Sequence, residues 1–199
     1  MLFNSFDFAV FLPLVYLLYW TLFQKHIKLR NLFLLTASYV FYGFWDWRFL
    51  SLILISSLMD YILAMQIHAA KPEQKSKRKT LLVLSLVLNL GFLGFFKYYN
   101  FFVESFIATF TLFGKDFSYS PMHIILPVGI SFYTFQSLSY TLDVYFKKME
   151  PTHKLITFLA FVSFFPQLVA GPIERAKKLL PEFDEIKSFD YQAARSGLL

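Results

Sequence analysis

Cysteine is absent from the 199 residues of this chain. Its absence excludes disulfide bonds, thiolate catalysis and cysteine-based metal sites. Glycine and proline are sparse, with 7 and 8 residues respectively. A glycine or proline that interrupts an apolar run is therefore informative about where the backbone bends.

Sequence motifs of soluble enzymes are also missing. The chain has no GxSxG, no P-loop and no GxGxxG. Its four histidines lie in or beside polar segments and show no HxxxH or HExxH spacing; they are His26, His68, His123 and His153. On motifs alone, the sequence predicts no catalytic centre and no metal site.

Apolar residues are abundant instead, at 57% of the chain, and aromatic residues reach 21% with 27 Phe. The mean hydropathy is +0.52, and the apolar residues form long blocks. The sequence does not show the alternation of apolar and polar residues that is typical of an outer-membrane β-strand. This pattern predicts an all-α, polytopic helical membrane protein with about five to six membrane segments, one of them broken or re-entrant.

The net charge of +6 lies mostly in short loops. A nucleic-acid-binding protein would instead cluster its charge on a folded soluble surface. The segments 24–30 and 71–79 carry +3 and +4. If residues 31–67 cross the bilayer twice, the positive-inside rule places both segments in the cytoplasm and the N-terminus outside.

The apolar blocks divide the chain into predicted segments. Spans are predicted at 8–23, 31–42, 49–67, 81–96 and 124–146, with a broken segment at 155–173. Residues 101–113 are predicted to lie at the interface or to extend the preceding helix, and 175–196 to form an amphipathic surface helix. The last residues read as the start of another apolar helix. Residues 1–199 are therefore expected to be the N-terminal part of a single membrane domain.

The broken segment contains the string FFPQLVAGPIER at residues 164–175. Pro166 and then Gly171-Pro172 interrupt what would otherwise be a membrane helix. Two interpretations remain open from spacing alone. The segment is either re-entrant and lines an intramembrane site, or it is an ordinary span with a proline kink. Broken backbone at membrane depth needs partners within the protein in both cases.

Polar residues follow one stripe of the span 124–146, at Gly129, Tyr133, Gln136, Tyr140 and Asp143. Such a stripe faces protein or water rather than lipid. For Gln136 the sequence leaves open a tunnel wall or helix–helix hydrogen bonding, and for Asp143 it favours the latter.

Polar residues in two other spans have simpler interpretations. Asp60 is placed near the membrane interface, and Lys97 is interpreted as a snorkelling lysine.

Several longer strings occur together along the chain. They are FLPL at 11–14, SYVFYGFW at 38–45, GFFKYYNFF at 94–102, ILPVGISFYTFQ at 125–136 and FPQLVAGPI at 165–173. This set resembles the membrane-bound O-acyltransferase family, and within it the members that acetylate alginate and peptidoglycan. The resemblance is collinear over nearly the whole chain.

The resemblance implies a ring of helices around a tunnel in the bacterial inner membrane. It implies a cytoplasmic acyl thioester donor, acetyl-CoA or an acyl carrier protein, as co-substrate rather than bound cofactor. It also implies transfer to a periplasmic or extracellular acceptor protein and an exported polysaccharide. The family's catalytic histidine is expected beyond Leu199, since no histidine here matches it. The positions carried over as tunnel-shaping are Gly129, Gln136, Gln167, Gly171, Pro172 and Arg175.

Two other functions remain compatible with the residues. Transporters and channels also use helices broken by Gly-Pro with polar groups at membrane depth. A non-catalytic assembly subunit would equally lack a catalytic residue in this part of the chain.

Overall fold

The computed structural model describes residues 4–71, 73–112, 124–171 and 174–196, and within these residues the chain is helical without any strand. α1 is followed by a π-helical turn at Tyr19–Phe23, and short 3₁₀ turns lie at Trp47–Phe49 and Leu180–Phe183. The helices are α1 (Phe6–Leu18), α2 (Ile27–Asp46), α3 (Leu50–Ala69), α4 (Lys75–Leu112), α5 (Ile130–Tyr145), α6 (Leu155–Ser163), α7 (Phe165–Ala170), α8 (Ala176–Leu179) and α9 (Tyr191–Ser196).

Three helical stretches are long and apolar enough to cross a membrane: Phe6–Phe23, Ile27–Ala69 and Lys75–Thr111. The second contains α2 and α3, and Leu155–Leu168 adds a shorter apolar stretch. The predicted fold class, an all-α helical membrane protein, is confirmed.

The bend between α2 and α3 follows from its sequence. Asp46 leaves the helical conformation, with φ −161° and ψ 109°, and its carboxylate accepts from the Arg48 N–H at 3.0 Å. The Arg48 guanidinium also pairs with this carboxylate at 2.7 Å.

The core is built from α2, α3, α5 and α6. α3 packs along α5, α2 packs along α6, and α4 covers both α3 and α5. Ile53, Tyr140, Phe158 and Phe161 are fully buried where these helices meet. α1 instead exposes apolar side chains along most of its length. An apolar exposed helix is suited to lipid or to another apolar surface.

Two predicted boundaries differ from the structure. The basic stretch 71–79 is helical from Lys75 onward, because lysine and arginine are good helix formers. Residues 101–112 extend α4, which is one of the two arrangements predicted for them. Residues 175–196 form α8, a 3₁₀ turn and α9 rather than one amphipathic helix, and Pro181 lies in the first turn of that 3₁₀ helix.

The predicted topology is testable by cysteine labelling, because the chain has no thiol of its own. Asn4 and Ser76 are both exposed. We expect an impermeant maleimide added to intact cells to label Asn4→Cys and to spare Ser76→Cys, since the basic stretch is predicted to be cytoplasmic. Permeabilised cells supply the control in which both cysteines react. Labelling of Ser76→Cys without labelling of Asn4→Cys in intact cells would show the opposite topology.

Candidate functional site

The helix predicted to break does so at Phe164. α6 ends at Ser163, Phe164 has ψ 105°, and α7 begins at Phe165. The interruption therefore comes two residues before Pro166, which lies in the first turn of α7. A proline is tolerated there because the first N–H groups of a helix have no intrahelical partner. The second predicted interruption is also present, since Gly171 is extended with φ −88° and ψ 158°.

Two side chains from other helices replace the hydrogen bond lost at the break. In a continuous helix the Phe165 N–H would donate to the Phe161 carbonyl. Here the Phe165 N–H donates to Ser38 Oγ at 3.2 Å, and Gln136 Nε2 donates to the Phe161 carbonyl at 2.8 Å. Ser38 lies on α2 and Gln136 on α5, so the two helices on either side hold the break open.

Gln136 and Gln167 form a buried amide pair beside the break. Gln136 Nε2 donates to Gln167 Oε1 at 3.2 Å, and the side chains are 2% and 7% exposed. An amide nitrogen has two hydrogens, and in Gln136 both are directed at protein acceptors. The predicted stripe on α5 does face protein, because Tyr133, Tyr140 and Asp143 are buried with Gln136.

Gly129 lets α5 begin against the backbone of α7. Its φ is +75°, a left-handed conformation that favours glycine. A Cβ at this position would lie 2.9 Å from the Leu168 carbonyl oxygen. At Gly171 a Cβ would lie 2.8 Å from Gln167 Cα, so both predicted glycines stand where the backbone approaches closely.

The six predicted positions do not all meet. Gly129 and Gln136 contact α7, Gln167 lies on it and Gly171 follows its last residue. Arg175 is exposed and precedes α8 as its N-cap residue. Pro172 lies outside the described residues. The role of all six in shaping a tunnel stays a prediction.

A cavity of about 320 Å³ opens on the other side of the break. Its walls come from the end of α1, the start of α2, the break itself and the segment 179–187. The lining is mostly apolar and aromatic, and includes Leu12, Trp20, Phe164 and Pro166. Its three charged residues are Arg30, Glu182 and Lys187. A largely apolar pocket with a few placed polar groups is typical of small-molecule sites.

Arg30 is the buried charge of this cavity, at 1% exposure. Its Nη1 donates to the Glu185 carbonyl and its Nη2 to the Phe183 carbonyl, both at 2.6 Å. Neighbouring Asn31 donates to the Phe183 carbonyl at 2.9 Å and to Thr157 Oγ1 at 3.0 Å. The two side chains thereby tie the segment after α8 to the start of α2 and to α6.

The prediction that Arg30 lies in a loop, within the basic segment 24–30, is wrong. α2 begins at Ile27, so Arg30 is a helical residue on the same face as Leu34 and Ser38. The spacing of four residues from Arg30 to Leu34 to Ser38 is the signal that identifies it.

Lys187 lines the cavity and forms ion pairs with two carboxylates. Its ammonium donates to Glu182 and, at 2.8 Å, to Glu185. These contacts raise the pKa of Lys187, and the hydrogen bond from Lys187 lowers the pKa of Glu185. All three side chains are partly or largely exposed, so this cluster adds little to stability.

Asp60 lies in the packed interior, not near the interface as the sequence suggested. It is fully buried, and it accepts from Ser85 Oγ at 2.6 Å and from Asn89 Nδ2 at 2.8 Å. No cation pairs with it among the described residues. The polar groups around it come from two neighbouring helices, Ser85 and Asn89 on α4 and Ser137 and Thr141 on α5. A carboxylate with amide and hydroxyl donors can be accommodated at membrane depth only inside a bundle.

Comparisons with known proteins identify the chain's relatives. It is 43% identical to the "Probable alginate O-acetylase AlgI" of Azotobacter vinelandii and to that of Pseudomonas aeruginosa, over 92% of its own length. It is 34% identical over 93% of its length to the "Peptidoglycan O-acetyltransferase" of Helicobacter pylori. The predicted resemblance is confirmed.

The chain spans 35% to 39% of the length of these three relatives. No protein-family model matches it, and no solved structure matches it significantly. The names of the relatives describe O-acetylation of alginate and of peptidoglycan, and neither name describes transport.

Proposed function

We propose that this chain is part of a membrane O-acetyltransferase that modifies a polysaccharide such as alginate or peptidoglycan. The observation that carries the proposal is the similarity over 92–93% of the chain to proteins named for this activity. The alternatives of a transporter or an assembly subunit have no comparable observation in their favour. The chain also supplies a built feature that an acyl path would use, the broken helix with a cavity beside it.

The role proposed for the described residues is positioning rather than chemistry. Gln136 and Ser38 hold the break, and the break forms one wall of the apolar cavity. An acyl thioester places an apolar chain next to an anionic carrier. The apolar walls suit the acyl part of such a donor, and the exposed Lys25 and Lys28 suit its anionic carrier. Acetyl-CoA and an acyl carrier protein share this chemistry, and the acetyl group is then passed to an exported polysaccharide through an acceptor protein.

The basic character of the segments near the cavity supports donor entry from that side. Lys25 and Lys28 are exposed at the start of α2, near Arg30. The positive-inside rule predicts that this end of α2 is cytoplasmic, where thioester donors are found. The protein is accordingly proposed to be a multi-pass protein of the bacterial inner membrane.

We expect the 199-residue chain alone to transfer no acetyl group. Among the described residues no group of three or more His, Asp or Glu side chains could hold a metal ion. His26 is the N-cap residue of α2, His68 lies in the last turn of α3, and His153 precedes α6, so none faces the break. His123 lies outside the described residues.

The measurement is acetyl transfer from radiolabelled acetyl-CoA to alginate oligosaccharide. A longer protein that contains this sequence is measured in parallel, because it is expected to supply the catalytic histidine. Transfer by the chain alone that disappears in His153→Ala or His123→Ala would overturn the proposed division of labour. Failure of the longer protein to acetylate any polysaccharide would overturn the proposed function itself.

A further inference from the structure

A second cavity lies where α3 ends, α4 begins and α5 ends. Its volume is about 510 Å³. Four basic side chains line it, with one carboxylate; they are His68, Arg78, Lys147, Lys148 and Glu150. No ion pair within 4.0 Å joins any of these side chains to an opposite charge in the part of the chain that the structure describes. Arg78, Lys147 and Lys148 therefore line the cavity against one carboxylate.

Arg78 is held in position with a donor left over. Its Nη2 donates to the Tyr145 carbonyl at 2.6 Å, and its guanidinium lies 5.3 Å from the centre of the Tyr145 ring. Its Nε is buried and has no hydrogen-bond partner among the described residues. A buried N–H without a partner is costly unless a ligand accepts from it. A fixed guanidinium with a free edge is suited to the oxygens of a phosphate.

Lys147 adopts a backbone conformation that is unfavourable for lysine. Its φ is +57°, and it is the sole non-glycine residue with positive φ among the described residues. Its N–H donates to the Val144 carbonyl at 3.1 Å and the Lys148 N–H donates to the Asp143 carbonyl at 2.8 Å, which is the Schellman arrangement at a helix end. Glycine is strongly preferred at this position. A strained residue that also places a cation at a cavity indicates a role other than stability.

The neighbourhood is that of a membrane boundary. Phe146 is 59% exposed, and the Lys148 ammonium lies 5.6 Å from the centre of its ring. On α4 the basic first turns are followed by exposed Val83, Leu84 and Val87. Exposed apolar side chains next to the cations can contact acyl chains while the cations bind a headgroup.

We propose that this cavity binds the phosphate of an anionic phospholipid headgroup, with Arg78, Lys147 and Lys148 as the cations that contact it. The site is separate from the broken helix and does not rest on the proposed acetyltransferase function. Lipid binding here would tie α3, α4 and α5 together at one face of the bundle. Basic pockets between helix ends are known physical sites for anionic headgroups.

The test uses the purified protein in nanodiscs and in detergent, with phosphatidylglycerol and phosphatidylcholine as probes. Native mass spectrometry is expected to show preferential retention of phosphatidylglycerol. Arg78→Gln and Lys147→Gly should each lower that retention roughly five-fold. Lys177→Gln is the matched control, since Lys177 is an exposed lysine on α8 away from the cavity.

Lys147→Gly separates binding from folding. Glycine relieves the strained backbone, so the lipid-free variant should melt at or above the wild-type temperature while retaining less lipid. Unchanged lipid retention in Lys147→Gly, or equal losses in Lys177→Gln, would overturn the proposal. Competition by millimolar inorganic phosphate or by coenzyme A would instead assign the cavity to a soluble phosphate and overturn the lipid assignment.

Discussion

Gly129→Ala is expected to cause a larger loss of folded protein than alanine at any other glycine that the structure describes. Gly129 has φ +75°, and an added Cβ would lie 2.9 Å from the Leu168 carbonyl oxygen. The left-handed backbone costs a non-glycine residue about 1–2 kcal/mol. The steric overlap adds to this cost, because the contacted atom is backbone and α7 must shift to make room.

The control is Gly94→Ala on α4, where a Cβ would meet nothing within 4 Å. In a helix interior alanine is favoured over glycine by about 1 kcal/mol, so this variant should be neutral or more stable. The measurement is the melting temperature and the yield of monodisperse protein in detergent. A Gly129→Ala protein that melts with the wild type would show that α5 and α7 do not approach as closely as described.

Gln136→Leu is expected to have the second-largest effect. The substitution keeps the approximate volume but leaves the Phe161 carbonyl without the Nε2 donor that now serves it. A buried acceptor without a partner costs about 1–3 kcal/mol. Because water is scarce at membrane depth, the break itself should become less well defined.

Gln66→Leu is the control for this change, since Gln66 is exposed on α3. The hydrogen-exchange rate of the α7 amides reports the break directly. This rate should increase in Gln136→Leu and stay unchanged in Gln66→Leu. Gln136→Glu is a further probe, because it keeps the size of the side chain and replaces the donor by a second oxygen. Protection of α7 that is unchanged in both variants would mean that Gln136 does not hold the break.

Much of the fold could be predicted because membrane helices are marked by long apolar blocks. The break at Phe164 was also predictable, since a proline such as Pro166 is disfavoured inside a helix but is tolerated in the first turn of a new one. The partners of the break were not, because nothing in the sequence pairs Ser38 with Phe165 across 127 positions. Arg30 was misplaced for a related reason: its charge suggested a loop, whereas its partners are backbone carbonyls of a segment 153 to 155 residues away.

A substitution at Gly171 cannot by itself distinguish an acyl path from a structural kink. A Cβ at Gly171 would overlap Gln167 Cα at 2.8 Å. Gly171→Leu should therefore disturb the end of α7 whether or not the segment lines an acyl path. Loss of acetylation in that variant would not separate a positioning role from a kink that is needed only for folding.

A chemical block of the cavity separates them, because activity is compared before and after modification of one folded sample. Leu12 lines the cavity beside the break, and Leu14 on the same helix is exposed and does not line it. The chain contributes no competing thiol. Leu12→Cys and Leu14→Cys are therefore made in an active acetyltransferase that contains this sequence, and each is treated with a bulky maleimide.

If the cavity beside the break lies on the acyl path, labelling of Leu12→Cys should reduce acetylation and labelling of Leu14→Cys should not. Acetylation of the polysaccharide is measured per labelled, folded protein, with the parent protein treated in parallel. Labelled Leu12→Cys is expected to lose at least about ten-fold of its activity, since a misplaced donor loses its reactive geometry. Labelled Leu14→Cys is expected to keep its activity. Full activity of completely labelled Leu12→Cys would contradict a place for the cavity on the acyl path and leave the broken helix a structural kink.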